Sequence, residues 1–377
     1  MWRVDADTLE SLALGAGILG TGGGGNPYVA KVWARCELER GARFEIIDPL
    51  ELAEDSWVIG CGGIGAPTVS VEKLRRGDEE FRALRALADH LRVQVTATVP
   101  MEVGGGNAIR PLIAAAQAGV PMVDADGMGR AFPELQMVTY FIYGVPACPA
   151  AIADDKGAAA VFTAAASPRH LERLARTLTI EMGGTAGMAL APMTGARLKQ
   201  TAIPRTLSVA RDVGAAVRTA RRCHTDPIAA LLAATGGQLL LVGKITDVER
   251  RTATGFARGR LSLHGSGPHG AEMEIDFQNE NLVARVDGQA VATVPDLICI
   301  VATADAEPIT TELLRYGQRV AVVGVPCHPL LRTPEALAVV GPRAFGYDLE
   351  YRPLAPGEGK TPWTSLAELG PLMSRSR

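Results

Sequence analysis

Several absences narrow what this sequence can be. Its six cysteines (Cys36, Cys61, Cys148, Cys223, Cys299, Cys327) fall in no C-x-x-C or C-x-x-x-C spacing, which argues against a zinc knuckle and a disulfide framework. The charge balance is nearly even, 38 Lys and Arg against 41 Asp and Glu, so there is no positive field for nucleic acid and no polybasic patch for a membrane. No stretch reaches the roughly 18 consecutive apolar residues that a membrane span needs. The N-terminus, MWRVDADTLESLALGAG, is acidic where a secretory signal carries positive charge, and a cytoplasmic protein is the expectation. No H-x-H or H-x-x-x-H pair occurs, so local spacing offers no histidine-rich zinc site. No internal repeat or low-complexity tract is present.

What is there is an ordinary globular composition, 47% hydrophobic over 377 residues, long enough for two domains with real cores. The first half alternates helix and strand signals. Apolar residues Leu9, Leu12, Ala16 and Leu19 recur at helical spacing behind a cap at Asp7 or Thr8, and Asn26-Pro27 opens a second helix with a stripe of Val29, Val32, Trp33 and Cys36. Strands are expected at 43–47, 57–60, 93–99 and 121–124, and helices at 78–91 and 108–118. After residue 167 come two helices, in SPRHLERLARTL and over 206–222. Strand signals then dominate, at 238–244, 254–263, 272–278, 282–286, 297–301 and 319–325. The reading is an α/β N-terminal domain over 1–167 followed by a β-rich (α+β) C-terminal domain over 168–377, closed by a Pro- and Gly-rich surface tail over 352–370.

The stretch GTGGGGNPY joins the first two helices with four consecutive glycines, Gly22, Gly23, Gly24 and Gly25. It is not a Walker loop, since no Lys-Ser or Lys-Thr follows, and not a dinucleotide fingerprint, since a helix precedes it. Bare backbone amides at a helix start bind anions such as a carboxylate; the alternative is a tight turn that needs positive φ. Two further loops, around 60–65 and in MEVGGGN (101–107), follow strands, as does DADGMG (124–129). In α/β sheets ligands gather beyond the carboxyl ends of strands, so these loops are expected to converge on one crevice.

Asp124 and Asp126 share a face if the strand stays extended, which would suit acid/base work or a hard metal; otherwise Asp124 is a cap and Asp126-Gly127 a turn. Glu102 is the third candidate carboxylate. Asn107 reads as an N-cap that also reaches the crevice. Arg130 and Glu134 are either site residues or salt-bridge partners of each other. Among the histidines, His90, His170, His224, His264 and His269 read as solvated, while His328 follows an apolar strand beside Cys327. Cys61 at a strand end reads as a small core thiol rather than a nucleophile.

Taken together, GAGILGTGGGGNPY, GGIGAPTVSVEKL, MEVGGGN, PMVDADGMGRAFPELQM, DVERRTATGFARG, FQNENLVA, PDLICI and GPRAFGYD resemble the S-methyl thiohydantoin desulfurase family, long carried as a domain of unknown function. The likeness runs over about 7–351. It implies a two-domain bacterial protein found beside hydantoinase or oxoprolinase-type enzymes. The implied hydrolysis converts an S-methyl thiohydantoin bearing a propionate arm to hydantoin propionate and methanethiol. Such a reaction needs a base for water, an acid for ring nitrogen or sulfur, and anion contacts. Asp124, Asp126 and Glu102 are the catalytic candidates, acting directly or through a divalent metal such as zinc on Asp124 and Asp126. Gly22, Gly23, Gly24, Gly25 and Asn26 would hold the propionate, and Asn107 and Gly63 the ring amides. The expected partner is therefore a small cyclic ureide or thiohydantoin with a carboxylate, and a homo-oligomer is the base-rate expectation. Two other classes compete: a non-catalytic accessory subunit of a hydantoinase-type system, and a nucleotide-binding protein, which the absent fingerprints disfavour.

Overall fold

The computed structural model describes residues 1–377 except 67–68, 70–71, 74, 254–255, 267–269, 358–360 and 364–377; His269 and part of the tail therefore lie outside the described residues. The N-terminal domain is mixed α/β. Its eight-stranded sheet runs in the order Trp2–Val4, Phe44–Ile47, Met122–Val123, Ala97–Pro100, Trp57–Gly65, Thr185–Thr194, Ala150–Ala153, Ala159–Phe162. The four strands from Phe44–Ile47 to Trp57–Gly65 are parallel, and the remaining pairings are antiparallel.

Strand Thr185–Thr194 was not foreseen. It follows helix Pro168–Glu181 and returns to the middle of the first sheet beside Trp57–Gly65, so sheet membership crosses the 167/168 position. Helix Thr206–Arg222 also packs on the first half, against helix Ala6–Leu19. A Cβ at Gly15 would stand 1.7 Å from the Ala210 carbonyl oxygen and one at Gly214 1.9 Å from that of Ser11, so only glycine permits this backbone contact.

The C-terminal domain carries a seven-stranded, wholly antiparallel sheet in the order Gln289–Thr293, Glu280–Val286, Glu272–Gln278, Phe256–Gly265, Gln238–Ala253, Arg319–Val325, Leu297–Ala302. The sheet curls until its two end strands approach each other. Its inward face buries Leu261, Leu263, Ile275, Phe277, Ile298, Val320 and Val322.

Arg130 ties the two halves together. Wholly buried, it donates to the Pro295, Asp296 and Asn281 carbonyls at 3.2, 2.7 and 2.9 Å, to the Ala131 carbonyl at 3.1 Å and to Thr21 Oγ1 at 2.9 Å. The alternative of an Arg130–Glu134 salt bridge is thereby corrected; Glu134 accepts from Gln136 instead. A fixed guanidinium suits this task because its planar fork satisfies several carbonyls at once.

Helix Pro27–Glu39 departs from its expected orientation. Its buried residues are Ala30 and Ala34, whereas Val29 and Val32 are 47% and 43% exposed and Cys36 is exposed. The small alanines let the helix backbone lie close to the body of the protein, and the larger residues face out. Among the described residues, no helix is long and apolar enough to cross a membrane.

Candidate functional site

The glycine loops meet as predicted, but largely through contact with each other. Gly106 N–H donates to the Gly25 carbonyl at 2.9 Å and Asn107 N–H to that of Gly24 at 3.2 Å. Gly24 has φ +74° and Gly105 φ +62°, and a Cβ on Gly24 would fall 2.1 Å from the Gly104 oxygen. Bare backbone is thus needed to stack two loops at closer range than any side chain allows. Gly22 and Gly23 face the C-terminal domain: the Gly22 carbonyl accepts from Thr311 N–H at 2.9 Å, and Gly23 packs on Glu280. Asn26 caps helix Pro27–Glu39 by accepting from Tyr28 N–H at 2.9 Å. Of the predicted anion loop, Gly24 and Gly25 reach the hollow.

That hollow lies beyond the carboxyl ends of the parallel strands. It is lined by Gly24, Gly25 and Gly63, by Glu102, Asn107 and Arg110, by Met101, Met128 and Phe132, and by Asn279 and Glu280 from the second domain. Asn107 is its organiser. The side-chain Oδ1 accepts from Gly63 N–H at 2.9 Å, while Nδ2 donates to Glu102 Oε1 at 2.5 Å and to the Gly63 carbonyl at 3.3 Å. The expectation that Asn107 caps the next helix is corrected: it sits inside the 3-10 turn Gly105–Ala108, and helix Arg110–Ala118 has no side-chain cap. Its cap-forming atoms are committed across the hollow instead.

Glu102 accepts from Asn107 on one oxygen and from Phe132 N–H at 3.1 Å on the other. Burial pushes its carboxyl up to about 7, opposed by these two donors. One donor per oxygen leaves each with acceptor capacity toward the hollow.

Asp124 and Asp126 do not line the hollow. The extended chain is broken between Met122–Val123 and Ala125–Asp126, so the two carboxylates take separate sets of partners. Asp124 caps helix Thr206–Arg222, accepting from Leu207 and Ser208 N–H at 3.0 and 3.1 Å, from the Ser208 hydroxyl, and from Trp2 Nε1 at 3.3 Å. Asp126 is wholly buried and accepts from Val103 N–H at 2.7 Å, Met128 N–H at 3.1 Å and Gly129 N–H at 2.9 Å. Desolvation raises both, Asp126 to about 7, against the pull of those donors. Asp126 fastens the Glu102 loop from behind, through Val103.

A divalent metal on Asp124 and Asp126 does not fit this arrangement. Their oxygens point at N–H and O–H donors, the wrong polarity for a cation, and among the described residues no three His, Cys, Asp or Glu side chains gather as ligands. Cys61 is a buried thiol raised by desolvation and remote from the lining. His328 is buried, with Nδ1 accepting from Leu330 N–H at 3.2 Å and its ring edge-on to Trp363.

Two residues of the hollow escaped sequence reasoning. Arg110, one turn beyond MEVGGGN, lays its guanidinium over Gly63, where a Cβ would come within 1.8 Å of it. Its nearest carboxylate, Glu80, is 3.7 Å away, and among the described residues it makes no hydrogen bond. Glu280, in QNEN, opens strand Glu280–Val286 next to the turn from strand Glu272–Gln278; its neighbours Gln278, Asn279 and Asn281 are polar too, so no local pattern singled it out.

The fold and this hollow define a two-domain protein in which a mixed α/β sheet carries a polar pocket closed by a hairpin of an antiparallel second sheet. Two family models match it, the S-Me-THD-like N-terminal domain over 7–164 and the S-Me-THD-like C-terminal domain over 166–354, and the chain belongs to that family. Among solved structures it is similar to a protein of Chromobacterium violaceum determined by X-ray crystallography, with 22% identity over 94% of this chain and 100% of that one and a TM-score of 0.80. At that identity the likeness speaks for the fold alone. No curated protein matches.

Proposed function

We propose that the protein hydrolyses the carbon–sulfur bond of a five-membered cyclic ureide, an S-methyl thiohydantoin with a carboxylate arm, to give the hydantoin and methanethiol. The observation that carries this reading is Glu102: a buried carboxylate lining the hollow, pushed up to about 7 by burial and oriented by Asn107, is suited to take a proton from water. The Gly63 and Asn107 amides pair with each other, and the second lone pair of each carbonyl oxygen suits a ring N–H. Arg110, beside Gly25 and in a long 3.7 Å ion pair with Glu80, suits the carboxylate arm. Met101, Met128 and Phe132 offer apolar contact to the S-methyl group.

The test is incubation of the purified protein with S-methyl thiohydantoin propionate while released thiol is measured. The wild type should liberate thiol, and Glu102→Gln should lose 10²–10⁴ of the rate, the usual worth of a general base. Thiol release that appears only when a hydantoinase-type partner is added would instead favour the accessory-subunit reading.

A further inference from the structure

We propose that Glu280 is the proton donor to the departing sulfur in the reaction proposed above, so that the second domain supplies half of the chemistry. The inference rests on that reading of the reaction and adds a residue to it. Glu280 lines the hollow yet is only 2% exposed, and its Oε2 has no hydrogen-bond partner among the described residues. A buried carboxylate oxygen without a donor is expensive as an anion and inexpensive as a hydroxyl whose hydrogen points at a ligand. The side chain is firmly set. Gly23 leaves room for it, since a Cβ there would be 2.0 Å from Oε1. The adjoining turn is pinned by Ala257 N–H on Asn279 Oδ1 at 2.9 Å, by Thr311 Oγ1 on the Asn279 carbonyl at 2.6 Å, and by Asn281 N–H on the Thr21 carbonyl at 2.9 Å.

The charged groups around it act in opposite senses. Burial and the Glu102 carboxylate favour the protonated form, whereas Arg130 and the Gly24 amide favour the anion; the balance raises Glu280 well above an ordinary glutamic acid. Arg110, Arg176 and Glu134 share the same hollow. Arg130 is already engaged by four carbonyls and the Thr21 hydroxyl, and Arg176 by Glu172 at 2.7 Å, so neither makes a direct ion pair with Glu280. Glu102 and Glu280 are thus poised as base and acid of one pair.

The atoms balance as follows. Water oxygen bonds to the ring carbon as Glu102 takes one of its protons and passes it to the ring nitrogen that gains the C=N electron pair. The resulting hydroxyl gives its proton back to Glu102 as the carbonyl forms and the C–S bond breaks. The sulfur leaves with the electron pair of that bond and takes the Glu280 proton, giving methanethiol. Transfer of a proton from Glu102 to Glu280 through water restores the starting state.

The decisive measurement compares two substrates, the S-methyl ring and an S-aryl ring whose thiolate is far less basic, with wild type, Glu280→Gln and Glu280→Asp. If Glu280 protonates sulfur, Glu280→Gln loses 10²–10⁴ in kcat on the S-methyl substrate but less than about tenfold on the S-aryl one. The alkaline fall of the wild-type kcat/KM profile disappears with it, and Glu280→Asp recovers part of the S-methyl rate. Equal losses on both substrates, or no loss, would overturn the donor role while leaving the hydrolysis intact. A wild type that releases neither thiol overturns the reaction itself.

Discussion

Two pairs of buried carboxylates occupy neighbouring parts of this molecule and have opposite surroundings. Asp124 and Asp126 are saturated with donors: a helix end and an indole for the first, three backbone amides for the second. Glu102 and Glu280 face a hollow with acceptor sites left over. All four are raised by burial, so titration behaviour alone does not separate them. What separates them is where their lone pairs are used. A carboxylate whose oxygens are all committed to the chain is part of the architecture, and one with an oxygen open to a cavity is available for chemistry.

The contrast is broken most severely at Asp126. Asp126→Ala strands three buried N–H groups, each costing about 1–3 kcal/mol when unsatisfied, so a loss of roughly 3–9 kcal/mol is expected. Chemical denaturation of the variant should show that loss, and thiol release should fall with the folded fraction and somewhat further as the Glu102 loop loosens. Asp126→Asn, which keeps an acceptor for the Val103 amide, should recover most of the rate, and a folded Asp126→Asn with no activity would instead return Asp126 to the catalytic group.

Glu102→Gln should do the reverse, trading activity for stability. A carboxyl raised from 4.5 to about 7 by the folded state favours folding below pH 4.5, and that contribution is lost as pH rises through 7. The variant lacks this dependence. Relative to wild type it should therefore gain about 3 kcal/mol between pH 4 and pH 8, read from denaturant midpoints at the two pH values. Asp126 and Glu280 each feel the Glu102 charge, so part of this difference is carried by their own titration. An unchanged difference across that range would mean that Glu102 stays ionised when folded.

This contrast also marks how far the sequence was legible. The helix boundaries at Asn26-Pro27 and around 79–91, the converging loops and the antiparallel second sheet follow from local signals such as capping, periodicity and turn residues. Strand Thr185–Thr194 was missed because GTAGMALAPMT is buried along most of its length and shows no alternation. Val29 and Val32 misled because helical spacing says that residues share a face without saying which face is covered. For the site, acidic residue types at strand ends were visible, but the partners that decide between structure and chemistry come from distant positions. Ser208 on Asp124 lies 84 residues on, and Glu280 enters the hollow from the other domain.

The smallest expected effect falls on Asp124, and it tests the same rule from the side of structure. Its carboxylate holds the first turn of helix Thr206–Arg222, the helix that packs on Ala6–Leu19 through Gly15 and Gly214. Loss of a helix cap costs about 0.5–2 kcal/mol, and the site is buried, so Asp124→Ala should sit near the upper end, about 2 kcal/mol. Asp124→Asn keeps an acceptor for the Leu207 and Ser208 amides and should lose less. Because Asp124 touches the hollow nowhere, both variants should retain wild-type KM and kcat per folded molecule. Hydrogen exchange should report faster opening at residues 206–210 before any other helix. A change in KM or kcat with that helix intact would show that the Asp124 carboxylate communicates with the hollow in a way its hydrogen bonds do not reveal.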